Sequence, residues 1–151
     1  MTASPCRIAL GLALSFVSAL ALAQATPAGL WKSIDDGTKK EKSLVRIVES
    51  GGVYSGKVEK TLDPATPPDA ACKACTDERK DQPIVGMTII RNIKQDSEDK
   101  TLFDGGEILD PNNGKVYKLR LKPIDNGARL EVRGYIGMPM LGRTQTWTRV
   151  E

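Results

Sequence analysis

Residues 116–122 read Val-Tyr-Lys-Leu-Arg-Leu-Lys, with Tyr117, Leu119 and Leu121 on one parity and Lys118, Arg120 and Lys122 on the other. A side-chain period of two belongs to a strand with one face packed and the other in water. The pattern recurs about eight times between turn signals, and no stretch sustains helical spacing. Short strands in immediate succession favour a meander over a Greek key. Closing that meander removes the edges an open sheet leaves unpaired. The expected fold is therefore all-β: a single up-and-down antiparallel barrel of about eight strands.

The expected strands cover residues 30–34, 43–49, 53–60, 84–93, 101–109, 115–122, 128–135 and 143–150. Ser50-Gly51-Gly52, Asp110-Pro111-Asn112-Asn113-Gly114 and Asp125-Asn126-Gly127 supply the positive-φ positions of tight turns. Gly105-Gly106 inside a strand predicts a bulge. Residues 61–83 carry Pro64, Pro67, Pro68 and Pro83, which exclude regular ladders, so they form one long irregular loop.

The first residues read as a secretory signal. Arg7 is the positive n-region, residues 8–22 are the apolar h-region, and Ala21-Leu22-Ala23 is a small-x-small cleavage site. Cleavage is expected after Ala23, with Ala25 as the alternative, and Cys6 leaves with the signal. The division is thus a signal peptide over 1–23 and one barrel domain over 24–151, a size that folds on its own core. The expected location is periplasmic or secreted. No second apolar run is long enough to span a bilayer, so no membrane contact is expected after cleavage. Losing Arg7 lowers the formal charge from +3 by one, leaving acids and bases nearly balanced and interspersed. That pattern does not point to nucleic acid.

The chain contains no histidine, which removes Ser-His and Cys-His mechanisms and the commonest metal ligand. No nucleophile elbow, phosphate loop or dinucleotide fingerprint is present. No catalytic residue, metal or cofactor is assigned, and the expectation is a protein that is not an enzyme. Cys72 and Cys75 stand two residues apart in the Pro-rich loop. In an oxidising compartment they read as a local disulfide, while the same spacing serves thiol exchangers.

Trp31 opens the first strand and Trp147 lies near the end of the last, strands that a closed barrel makes neighbours. Trp31 reads either as a pocket floor or as a plug at one end, within stacking reach of a late arginine. Arg143, Gln145, Trp147 and Arg149 share one face of the last strand, opposite Thr144, Thr146 and Thr148. With Trp147 inward, Arg143 and Gln145 turn inward as well, and a buried guanidinium needs a carboxylate or an acidic ligand. With the threonines inward, those charges are simply solvated, and the pattern alone leaves both open. Residues 134–142 are apolar and Gly-punctuated, fitting a flexible lip at the barrel mouth or a buried corner.

Several segments together resemble one exported bacterial family. They are Gly29-Leu30-Trp31, Tyr54-Ser55-Gly56-Lys57-Val58, the Cys72/Cys75 pair, Pro83-Ile84-Val85-Gly86-Met87, Gly106-Glu107-Ile108-Leu109-Asp110-Pro111, Gly114-Lys115-Val116-Tyr117, and Arg133-Gly134-Tyr135 through Gly142-Arg143-Thr144-Gln145-Thr146-Trp147. The chain is similar to the family catalogued as domain of unknown function 2147 across nearly all of its mature length. The resemblance implies a lipocalin-like barrel and no established activity, substrate or catalytic residue. Gly-x-Trp also resembles the lipocalin opening, in which the Trp packs with a late arginine; Arg149 is the best-placed candidate, with Arg143 behind it. The lipocalin C-terminal helix has no counterpart here, so lipocalin ligands are not carried over.

The resulting expectation is an exported binding protein for a small, largely apolar or acidic-headed ligand, held by Trp31, Tyr117, Tyr135, Arg143, Gln145 and Trp147. Two other readings stand beside it: an envelope protein partner contacted through the 61–83 loop, and a thiol–disulfide role for Cys72 and Cys75.

Overall fold

The computed structural model describes residues 25–151, so the segment read as a secretory signal lies outside the described residues. Eight strands follow one another: β1 (Gly29–Ile34), β2 (Glu41–Ser50), β3 (Val53–Thr61), β4 (Thr88–Gln95), β5 (Phe103–Asp110), β6 (Lys115–Ile124), β7 (Arg129–Tyr135) and β8 (Arg143–Arg149). Each pairs antiparallel with the next, and β1 pairs with β8, closing the barrel. This is the meander that the period of two implied. On β6 the inward residues Leu119 and Leu121 are buried, while Lys118 on the other face is exposed.

Closure is asymmetric. β1 and β8 are in register only at Trp31↔Arg149 and Lys32↔Thr148. Beyond Lys32 the two strands part, so the seam is shut at one end and open at the other. Both ends of the described segment lie at the shut end. There Leu30 N donates to Glu151 O at 3.0 Å, and Val150 N donates to Leu30 O at 2.7 Å. In an up-and-down barrel the connections after odd-numbered strands gather at one end, here opposite the start of β1 and the end of β8. The β1–β2, β3–β4, β5–β6 and β7–β8 connections therefore form the open end.

Trp31 is fully buried, and its Nε1 donates to Pro27 O at 2.7 Å. The Arg149 guanidinium lies 4.1 Å from the centre of its ring. Arg149 also donates to the carbonyls of Thr26 (2.9 Å), Ala28 (2.7 Å) and Gly127. Gly29 makes this possible. A Cβ there would stand 2.3 Å from the Arg149 guanidinium, at a φ of +140° that side chains resist. Gly-x-Trp at the start and an arginine near the end are thus one lock. Of the two readings of Trp31, the plug is the one found.

Strand limits shift at several ends, by one or two residues at most of them, and two of the differences have a clear cause. Residues 84–87 are not strand: Gly86 takes φ +89°, and Met87 N donates back to Ile84 O at 3.1 Å, so the chain turns before β4 begins at Thr88. Ile84 and Met87 still enter the core, which is why the run looked like a strand. β6 runs two residues past the expected limit, through Pro123. Its pairing with β5 ends at Leu121, so there Pro123 has only β7 beside it and its missing N–H breaks no second ladder. The expected bulge is present, as a register shift of β5 against β6 between Phe103 and Gly106.

Candidate functional site

The open end leads into a cavity of about 400 Å³, within the usual range for small-molecule sites. Its buried apolar wall is made by Val45, Ile89, Leu109, Val132 and Trp147. Each comes from a different strand, at an inward-facing position. Above this wall stand Ser33, Ser43, Tyr117, Tyr135 and Gln145. The outermost lining residues include Asp36, Lys42, Ile136, Leu141 and Arg143.

β8 resolves the question its pattern left open: the Trp147 face is inward. Trp147 is buried, and its indole N–H donates to Gln145 Oε1 at 2.9 Å. An indole nitrogen can only donate, so this bond fixes which end of the Gln145 amide is the oxygen. The NH₂ group of this cavity-lining residue is left as a donor without an acceptor among the described residues. Arg143, two residues further out, has already reached the rim, with a side chain 74 % exposed. It is not a buried cation awaiting an acidic ligand: its Nη2 and Nε donate to Asp36 Oδ1 (2.7 Å) and Oδ2 (3.2 Å), spanning the open seam between β8 and the β1–β2 turn.

Of the six residues expected at a pocket, Tyr117, Tyr135, Arg143, Gln145 and Trp147 border this cavity. Trp31 does not; it seals the opposite end and its indole N–H is already used. Sequence reasoning passed over Ser33 and Ser43, whose hydroxyls lie 2.8 Å apart, with Ser43 N donating to Ser33 Oγ at 3.0 Å. Parity with Trp31 was the signal for Ser33. It also passed over Asp36, for which no local pattern exists, since its partner is 107 residues away.

The carboxylates near the mouth are already engaged. Asp35 accepts from Thr38 N (2.7 Å), Thr38 Oγ1 (2.9 Å) and Gly37 N (3.1 Å), and the Thr38 bonds hold its carboxyl below the usual range. Asp110 accepts from Asn112 N at 2.9 Å within its turn. Tyr117 Oη accepts from Asn113 Nδ2 at 3.2 Å.

The irregular connection between β3 and β4 is folded onto the barrel. Cys72 and Cys75 form the expected disulfide, and both residues are buried in the core cluster. Ala71 bridges Pro83. A Cβ on Gly114 would stand 1.9 Å from Ala74 O, so the disulfide turn lies directly against the β5–β6 turn at the mouth. Thiol exchange needs a thiolate to reach a sulfur, and known exchangers of this spacing place the first Cys at a helix N-terminus. Here the sulfurs are covered and Cys72 follows no helix.

An eight-stranded up-and-down barrel, plugged at one end by a Gly-x-Trp and arginine lock and hollow at the other, has the lipocalin-like fold. The chain belongs to the family described as "Uncharacterized protein conserved in bacteria (DUF2147)", which it matches over residues 29–149. Among solved structures it is similar to protein HP1028 from the human pathogen Helicobacter pylori, described as belonging to the lipocalin family. The TM-score is 0.71 at 20 % identity, covering 84 % of each chain. No curated protein matches the chain.

Proposed function

We propose that this protein is an exported, non-enzymatic binding protein whose cavity takes a small, largely apolar molecule carrying one hydrogen-bond acceptor. The observation that carries the reading is the hollow itself, about 400 Å³ with a buried apolar wall, at one end only. A barrel of this size can fill its interior with side chains; this one does so around Trp31 and not above Trp147. Burial of an apolar guest gains roughly 25 cal/mol for each Å² removed from water.

The polar end of the guest follows from the donors left over. The amide of the cavity-lining Gln145 keeps a donor with no protein acceptor among the described residues, while Asp36 holds Arg143 through both carboxylate oxygens. A carbonyl or carboxylate suits that free donor. Reaction chemistry has little to draw on, since the chain lacks histidine. Export rests on the reading of residues 1–23 as a signal peptide. The 61–83 loop as a partner surface is the weaker reading, because its buried disulfide turn faces the barrel.

Trp147 supplies an intrinsic reporter at the cavity wall. Titration with medium-chain carboxylic acids should quench or shift its emission in a Trp31→Phe background. Gly134 lies on the cavity lining, and a Cβ there meets only ordinary contacts, the nearest being Tyr117 Cβ at 3.5 Å. Gly134→Leu should therefore fill the hollow, abolishing the titration while leaving the fold intact by circular dichroism. Gln145→Leu should weaken a carboxylic acid roughly tenfold and leave the matched alkane unchanged, the worth of about one hydrogen bond. A wild-type protein silent to every such ligand, or a Gly134→Leu variant that binds as well as wild type, overturns the reading.

A further inference from the structure

Residues 134–142, which the sequence left as a flexible lip or a buried corner, form an exposed tip and not a buried corner. Ile136, Met138, Met140 and Leu141 are 55–74 % exposed. The other large exposed apolar residues among those described are Val48, Val116 and Val150, which are scattered. Scattered apolar residues need no explanation, whereas four on one short connection do.

The tip is held in shape. Pro139–Leu141 forms a single 3-10 turn. Arg133 reaches up from β7 and donates to Pro139 O (2.6 Å), Met140 O (3.2 Å) and Thr144 Oγ1 (2.7 Å). Leu141 N donates to Met138 O at 3.1 Å, and Gly142 N donates to Pro139 O at 3.2 Å. The carbonyls of Met138, Pro139 and Met140 are thus all paired within the protein. Water-facing loops have no need of that arrangement. A loop entering hydrocarbon does, because unpaired backbone groups have no partners there.

The neighbouring turn is cationic where it is free. Asp36 joins the β1–β2 turn to the base of the tip through Arg143. Asp35 and Asp36 are engaged, whereas the exposed Lys39 and Lys40 have no carboxylate within ion-pair distance among the described residues. Two unpaired cations beside an apolar tip complement an anionic headgroup layer with acyl chains beneath it.

From these observations we infer that the β7–β8 tip docks on an anionic lipid bilayer surface, with Met138 and Met140 entering the headgroup–acyl boundary and Lys39 and Lys40 lying at the headgroups. Ile136 and Leu141 line both the tip and the cavity mouth, so an apolar path leads from the lipid into the hollow. The sequence-based expectation of no membrane contact considered spanning runs and charge balance along the chain; a docked tip is neither. The inference concerns the surface and stands or falls apart from what the cavity holds.

The test is co-flotation of the mature chain with mixed phosphatidylethanolamine–phosphatidylglycerol vesicles, beside phosphatidylcholine vesicles. Wild type should float with the anionic vesicles. Met138→Ser/Met140→Ser, which touches no cavity-lining residue, should lower partitioning roughly tenfold at an unchanged melting temperature. Met138→Leu/Met140→Leu should restore it. Lys39→Gln/Lys40→Gln should lower partitioning roughly fivefold or more on anionic vesicles and leave it unchanged on phosphatidylcholine. Wild type that stays at the bottom of the gradient overturns the inference, as does a serine variant that floats unaltered. So does a concentration-dependent dimer that the serine changes dissolve without any vesicle partitioning, which would make the tip a protein contact.

Discussion

Trp31→Ala should lower the unfolding free energy by about 3–5 kcal/mol, the range for emptying a fully buried aromatic position. That is a large share of the roughly 5–15 kcal/mol available to a domain. Three losses coincide. The indole vacates the plugged end, where the barrel wall is closed and cannot collapse far. Pro27 O loses the donor that holds it at 2.7 Å. The Arg149 guanidinium loses the ring 4.1 Å beneath it but remains tethered to the carbonyls of Thr26, Ala28 and Gly127. A stack of this kind is worth about 0.5–2 kcal/mol, so most of the loss is packing. Trp31→Phe separates the parts: it keeps an apolar ring under the guanidinium, forfeits the N–H bond, and should cost about 1–2 kcal/mol. Urea unfolding at neutral pH measures both. If Trp31→Ala fell within 1 kcal/mol of wild type, the lock would not be what shuts the barrel. Trp147→Ala should be milder, because that ring already borders a hollow and its removal enlarges an existing space.

The parts of this protein that local chemistry dictates could be read directly. The period of two on β6 gave strand and facing together; the Asn-Gly and Gly-Gly turns gave the meander; and the two ends of the meander, Trp31 and Arg149, had to meet once it closed. What escaped was set by contacts distant in sequence. Trp31 and Trp147 share a parity of inward facing but not a height, and height decides which one lines the hollow. The direction of the Trp147 face depended on packing that no strand pattern contains. Arg143 looked like a buried cation because parity turned it inward, but parity does not say how close to the rim a strand begins. Ile84 and Met87 were apolar enough to pass for strand, though Gly86 between them turns the chain. The 61–83 loop read as irregular, and nothing local showed that Arg79 within it is buried.

That arginine carries the second large effect. Arg79 is 5 % exposed and donates from Nε to Asp77 Oδ2 at 3.0 Å and from Nη1 to Thr88 O, also at 3.0 Å. It thereby ties the disulfide loop to the first residue of β4, one position before the cavity residue Ile89. Asp77→Ala should cost about 2–3 kcal/mol. Stranding a buried cation costs more in full burial, about 3–5 kcal/mol, but the Asp77 side chain is one-third exposed and water can partly replace it. The effect has a defined pH window. The Arg79 side chain, and then its backbone N–H, hold the Asp77 carboxyl down from its ordinary 3.8 to about 2. A carboxylate with a depressed folded-state pKa contributes fully above its unfolded value and loses that contribution as pH falls through the folded one. The gap between wild type and Asp77→Ala should therefore stay level from neutrality down to about pH 4, narrow between about 4 and 2, and close below. Arg79→Leu should be less costly, since it removes the buried charge and leaves a carboxylate that water can reach. The double variant should not exceed Asp77→Ala alone. Urea unfolding across that pH range decides it: a gap that persists unchanged at pH 2 would mean that Asp77 supports the loop by shape and not by charge.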